Sequence, residues 1–496
     1  MSPPTDLRAR ARWTREDLLV AVILMLAVVV VRAPWIGNPN ADIDEQLYSL
    51  IGNAMLGGKL PFVDLWDRKP FGLFAIFAAA HAIGGPGPAA YQVLAAIFTL
   101  AGALMTYALS RHLVDRVTAA GAGLLYVMLI STYGSHSGQT EAFHVPMMLA
   151  MALLVHDPEH PNALRRALVA MLIGGLALQV KYTVLPQCLF FGLWALWGLH
   201  NRGAGAARLV RLAMVFAALG LLPTVAVGAF YAAIGEWQAF LFANFTSFFD
   251  RMPAPVGRFS PDHRLFLMPL VMLLVLGAYA AARMSPPRDT RIYIFIVLWL
   301  FASLGTVYLP ATVYRYYYAA LVPTVVLFAL PLIDRRGGGA RWLPLALILV
   351  GMATILFLPR QYAQSQEQHA TIDRLAGVIA PHVDDDENCL WIFDGPTSLY
   401  SLTNSCLPTR FIYPDHLNNA LERHSLGIEQ DEEVARILAT KPPIIVTADT
   451  KFTIQNEDAG RLVEQALDAH YRELASGTLH QRKIRVWQRI DRPSTP

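Results

Sequence analysis

Long apolar runs separated by short polar loops recur from residue 18 to residue 358, and beyond that point charges spread throughout the chain. The apolar segments fall at 18–35, 91–109, 119–133, 142–155, 167–180, 184–199, 209–234, 265–281, 292–309, 319–333 and 343–358. They predict a mainly α chain, a polytopic bundle of about eleven membrane spans, several of them shorter than the roughly 20 residues a straight span needs. Past residue 359, CLWIF and PIIVTA read as buried strands, RLVEQALDAHYREL as an amphipathic helix and KIRVWQRI as a closing strand. DGPTSLYSLTNSC reads as a turn and helix. The expected organisation is therefore a transmembrane part over 1–358, with a first outer loop at 36–88, and a small soluble α/β domain over 359–496.

One polar island interrupts the pattern directly after the first apolar run: ADIDEQLYSLIGNAMLGGKLPFVDLWDRKPF, at 41–71. Ile43, Leu47, Leu50, Ile51, Ala54 and Met55 recur at the spacing of one helical face, which predicts a short amphipathic helix ended by Gly57 and Gly58. Asp42 and Glu45 have the spacing of a capping box. At about 100° per residue, Asp44 falls between Ile43 and Ile51 inside the apolar arc, and Glu45 on the opposite side. A carboxylate on a buried face must find a proton, a cation or a hydroxyl partner. The second half adds Asp64, Asp67, Arg68 and Lys69 beside Trp66. The apolar stretch 71–83, closed by GGPGP, is too short to span and predicts a second helix in the outer interface.

Composition sharpens this picture. A chain of 496 residues that is 55% hydrophobic is too apolar for an ordinary soluble protein, and its formal charge of +3 holds no basic tract for nucleic acid. The placement of the arginines matters more. With Arg8, Arg10, Arg12 and Arg15 on the cytoplasmic side, every second loop bears arginine: Arg111 and Arg116; Arg165 and Arg166; Arg202, Arg208 and Arg211; Arg283, Arg288 and Arg291; Arg335, Arg336 and Arg341. This alternation predicts a cytoplasmic N-terminus retained as a helix, an odd number of spans and an extracytoplasmic C-terminal domain, in an inner membrane. Of the 3 cysteines, Cys188 lies in an apolar run, whereas Cys389 and Cys406 lie in the tail and can pair there as a disulfide.

The outer loops collect ionisable residues at membrane depth, where they are costly and mark function. These are Glu141 with His136 and His144 in SHSGQTEAFH, Lys181 in QVKYTVLPQ, and Arg315 with Tyr316 in TVYRYYYAALVP. Carboxylates and cations at one membrane surface suit transfer onto a hydroxyl, with a carboxylate as base and cations on a departing phosphate. Asp44 would take the acceptor proton. Arg68, Lys69, Lys181 and Arg315 would share the phosphate, and a divalent cation, Mg2+ or Mn2+, held by Asp44 and Glu141 is compatible with the same set. The tail carries no glycine-rich phosphate loop, CxxC, HExxH or GxSxG, so nothing in it reads as catalytic.

The Asp44–Glu45 pair followed by GGKLPFVDLWDRKP resembles the GT-C glycosyltransferases, which include protein O-mannosyltransferases and the bacterial transferases that add aminoarabinose to lipid A. Asp44 and Glu45 match that family's acidic pair, with the first acid as its catalytic residue. Arg68, Lys69 and Pro70 match the segment before its interfacial helix, although Phe71 replaces a second proline, and RYYYAALVP at 315–323 is similar to its later tyrosine and proline segment, bringing Tyr316 to the donor phosphate. The resemblance implies an inverting displacement on a polyprenyl-phosphate sugar, with a hydroxyl of an envelope glycolipid, polysaccharide or protein as acceptor. A transporter or flippase of lipid-linked saccharides, and a non-catalytic assembly protein, remain as alternatives.

Overall fold

The computed structural model describes residues 14–252, 261–310, 313–335 and 342–490. Arg8, Arg10, Arg12, Arg336 and Arg341 of the arginine pattern lie outside them. The chain begins with helix α1 (Arg15–Arg32), whose Thr14 and Asp17 form a reciprocal cap, and continues through α2 (Ile43–Leu56), α3 (Phe71–Gly84), α4 (Pro88–Ser110), α5 (Arg116–Thr132), α6 (Thr140–Val155), α7 (Ala163–Leu178), α8 (Leu185–Asn201) and α9 (Ala206–Ala233). Among the described residues, six helical segments are long and apolar enough to cross a membrane: Pro88–Ser110, Tyr182–Asn201, Ala206–Ala233, Leu265–Arg283, Thr290–Tyr308 and Leu343–His382. Leu221 and Val225 of α9 and Val271 and Val275 of the helix Pro261–Arg283 are exposed, as apolar side chains facing lipid tails must be. This is a multi-pass membrane protein.

Helices α2 and α3 make up the segment between α1 and α4. Asp42 caps α2 by accepting from the Asp44 amide at 3.0 Å, and the chain leaves the helix through Gly57 and through Gly58 at φ +85°. The predicted capping box does not form, because Glu45 turns inward instead of reaching back. A second departure from expectation follows from it: Glu45 lies buried rather than on an open face, because the segment before α6 covers that side of α2. Helices α2 and α3 pack closely at Gly52, where an added Cβ would stand 2.6 Å from the Phe77 Cβ.

The helix Leu358–Ile379 leads into a four-stranded sheet of order β1-β2-β4-β3, made of β1 (Leu390–Ile392), β2 (Ile444–Ala448), β3 (Tyr471–Leu479) and β4 (Arg482–Arg489). β1 and β2 are parallel; β4 runs antiparallel to both β2 and β3. The helix expected over RLVEQALDAHYREL stops at His470, and Tyr471 opens a strand that the sequence reading missed. His480 and Gln481, both at positive φ, form the two-residue turn between β3 and β4, the geometry that matches the strands' right-handed twist. A Cys389–Cys406 disulfide ties the start of β1 to the loop after the helix Ser398–Leu402.

The hydrophobic core does not stop where the composition changes. Leu47, Tyr48, Ile51, Phe74 and Phe77 of α2 and α3 share a cluster with Ile372 and Leu375 and with Ile392, Ile444 and Val486 of the sheet. Trp66 lies 2% exposed among Trp391, Phe411 and Leu417, and its amide donates to the Arg410 carbonyl at 3.0 Å. At about 1.5–3 kcal/mol per fully buried large side chain, this continuity holds the α2–α3 segment and the C-terminal region together.

Candidate active site

Asp44 sits in the first turn of α2, where the helix N-terminus favours negative charge. Three donors reach its carboxylate from three parts of the chain. Tyr316 Oη donates to Oδ2 at 3.0 Å, Gln139 Nε2 donates to Oδ2 at 3.2 Å, and Tyr413 Oη donates to Oδ1 at 3.0 Å. Burial and the Asp44 charge push the Tyr413 phenol well above its ordinary range, so it keeps its proton and serves as a donor. Gln139, at the N-cap of α6, also donates to Asp42 Oδ1 at 3.1 Å and so couples the two acids. Burial, with the Asp44 and Glu45 charges, raises the Asp42 acid well above the carboxylate range.

Glu45 is fully buried and has a different setting. It accepts from Ser137 Oγ at 2.9 Å, Tyr91 Oη and Gln92 Nε2 at 3.2 Å each, and the Gly138 amide. Burial nevertheless raises its acid above the ordinary value. These donors spend its lone pairs on fastening α2 to α4 and to the segment before α6, and Arg32, which donates to the Ser135 and Ser137 carbonyls, lies within electrostatic reach of it. Such a carboxylate is a structural latch.

The cations divide. Lys181 is buried and ion-paired with Glu141; its Nζ lies 3.7 Å from the centroid of the Tyr317 ring and 5.6 Å from that of Tyr316. The half-buried Lys69 has its Nζ 5.8 Å from the centroid of the Tyr48 ring and, among the described residues, makes no ion pair or side-chain hydrogen bond. Its neighbour Asp67 accepts the Lys69 amide at 2.9 Å; burial raises the Asp67 acid against the pull of Lys69 and Arg68. Arg68 turns the other way, to Glu422 and Ser425 of the C-terminal region. Arg315 is exposed and lies over Phe266, whereas Tyr316, one residue on, reaches Asp44.

A second network borders the site. Glu422 accepts from Arg68 and, at 2.6 Å, from Arg251, and Arg251 donates onward to Tyr314 Oη at 3.3 Å. Tyr314 stacks on Tyr316 with the rings 5.6 Å apart and 5° from parallel. Asp44 is thus wired through Tyr316, Tyr314, Arg251 and Glu422 back to Arg68 on its own loop. Sequence reasoning missed Gln139, Arg251, Tyr413 and Glu422, and the tail it read as non-catalytic supplies two of them.

The two acids expected to hold a divalent cation, Asp44 and Glu141, are not assembled as a metal site. Glu141 is engaged by Lys181, Asp44 is surrounded by donors, and no group of three or more His, Cys, Asp or Glu among the described residues converges as a ligand set. A carboxylate with both oxygens oriented by donors is equipped to take a proton.

Comparison with known proteins bears on the fold as a whole. Two structures of ArnT from Cupriavidus metallidurans, one bound to undecaprenyl phosphate and one in the apo state, each superpose on 95% of this chain with a TM-score of 0.62. They cover 97% and 98% of those chains at 14% and 13% identity. The chain has the GT-C fold. Residues 68–227 match the family described as dolichyl-phosphate-mannose-protein mannosyltransferase. A dolichol phosphate-mannose mannosyltransferase of Haloferax volcanii is 28% identical over 130 residues, which is 25% of this chain and 28% of that protein. The resemblance to GT-C membrane glycosyltransferases is borne out.

Proposed function

We propose that this protein transfers a sugar from a polyprenyl-phosphate donor to a hydroxyl of an envelope glycolipid, polysaccharide or protein. The observation that carries the proposal is the Asp44 carboxylate, oriented by Tyr316, Gln139 and Tyr413, with the ammonium of Lys181 5.6 Å from the centroid of the same Tyr316 ring. The undecaprenyl phosphate of the ArnT structure supports a donor whose lipid tail stays in the bilayer. The arginine-bearing loops support an inner-membrane protein of about eleven spans with a cytoplasmic N-terminus, and hence a site and a C-terminal α/β domain on the periplasmic face.

In the transfer step the acceptor oxygen bonds to the anomeric carbon while its proton passes to Asp44. The bond from that carbon to the phosphate oxygen breaks, and its electron pair stays on the polyprenyl phosphate. One displacement of this kind inverts the anomeric centre, whether the sugar is a hexose or a pentose. Lys69, which among the described residues makes no ion pair, is placed to meet the departing phosphate, and Lys181, shared with Glu141, adds charge behind it. Arg315 contributes at the rim. Arg68 acts through Glu422, holding the C-terminal region over the site, and no step requires a metal.

The test is transfer from undecaprenyl-phosphate-linked sugars in membranes carrying the full chain. Asp44→Asn removes the base and is expected to slow transfer about 10²–10⁴-fold with protein abundance unchanged; a variant as active as the wild type overturns the assignment.

A further inference from the structure

The two oxygens of Asp44 are not equivalent. Oδ2 accepts from both Tyr316 and Gln139, whereas among the described residues Oδ1 accepts from Tyr413 alone. A carboxylate oxygen offers about two lone-pair directions. Oδ2 is therefore filled, and Oδ1 keeps one direction open for an incoming hydroxyl.

The residue that sets the direction of Oδ1 comes from the C-terminal region, 369 positions along the chain from Asp44. Tyr413 is itself well fixed. It precedes the short helix Pro414–Asn418, its ring lies 5.5 Å from that of His416, and His416 in turn stands edge-on to the buried Trp66 at 5.0 Å. The segment is secured on its far side by Glu422, held by Arg68 and Arg251, and the β3–β4 turn is secured by His480, whose Nε2 lies 2.9 Å from the Asn40 carbonyl. A tyrosine serving only to pack would not need its hydroxyl on the one oxygen that remains open.

We propose that Tyr413 is a positioning residue of the transfer site: its hydroxyl orients Asp44 Oδ1, the oxygen that takes the acceptor proton, so that the C-terminal region completes the active site. The inference rests on the reading of Asp44 as the base. In the step, Tyr413 keeps its own proton. The acceptor's proton moves to the open lone pair of Oδ1, and the Tyr413 bond holds that lone pair toward the acceptor.

The experiment compares Tyr413→Phe, Asp44→Asn and wild type in the full chain, with undecaprenyl-phosphate-linked sugars as donors, together with the pattern of limited trypsin cleavage. Phenylalanine keeps the ring and deletes only the hydrogen bond. A bond to a charged group predicts a loss in kcat of roughly ten- to hundredfold, with KM for the donor within about twofold of wild type and the cleavage pattern unchanged. Wild-type kcat in Tyr413→Phe alongside an inactive Asp44→Asn overturns this inference and leaves the proposed function standing. A raised donor KM with new cleavage sites also overturns it, because Tyr413 then serves only to dock the region. Full activity in Asp44→Asn overturns the proposed function, and this inference with it.

Discussion

Glu422 is the place where the union of the two parts of the chain can be weighed. Its side chain is 6% exposed and sits between the Arg68 and Arg251 guanidiniums. Burial alone would raise its acid, but Arg68 and then Arg251 outweigh burial and bring it from 4.5 to about 2. At 1.36 kcal/mol per pKa unit, that gap corresponds to ~3 kcal/mol of stability at neutral pH. The figure agrees with the roughly 3–5 kcal/mol lost when one partner of a buried ion pair is removed. Because the folded acid is depressed below the unfolded one, this contribution is complete above pH 4.5 and fades as pH falls toward about 2. Glu422→Gln keeps the shape and deletes the charge. Thermal unfolding in detergent, followed by tryptophan fluorescence because Trp66 and Trp391 are buried in this interface, should show the variant less stable by ~3 kcal/mol at pH 7, with the difference shrinking on acidification. Equal stability at pH 7, or a gap that widens toward acid, would refute the reasoning.

Two further outcomes follow from the same geometry. Lys69→Gln should raise the donor KM about tenfold or more while protein abundance holds, as expected for loss of a charged contact to phosphate; steady-state kinetics with a polyprenyl-phosphate sugar decide it. Gly52→Val should destabilise the α2–α3 pair by ~1–3 kcal/mol, because its Cβ would already stand 2.6 Å from that of Phe77; reduced yield and earlier thermal unfolding are the readout, and a variant as stable as wild type would show that the helices can part.

What the sequence disclosed, and what it hid, divides along a physical line. Asp44 could be singled out from 41–57 alone because a period of 3.6 residues is local, although the donors that meet it, Gln139, Tyr316 and Tyr413, could not. The helical, membrane-spanning character of the chain and three of the four strands were legible for the same reason. Glu45 was misplaced because a helical wheel shows the faces of one helix and not what covers them; Ser137 and Gly138 make its open side a buried one. Tyr471 and Leu474 continue a helical spacing, so the change to β3 left no local mark. Tyr413 and Glu422 carry no motif at all. Their roles arise from pairings across 369 and 354 positions with Asp44 and Arg68, and tertiary folding alone creates those pairings. Gln139 left the one usable trace, a polar residue two before Glu141 at the start of an apolar helix.

The most direct test of the central claim is mass spectrometry of envelope glycolipids and glycans from cells carrying the wild-type protein, a deletion, or Asp44→Asn at wild-type abundance. A transferase that uses Asp44 as its base predicts one sugar missing from the same product in both the deletion and the variant. A profile altered by the deletion but restored in full by Asp44→Asn would contradict it.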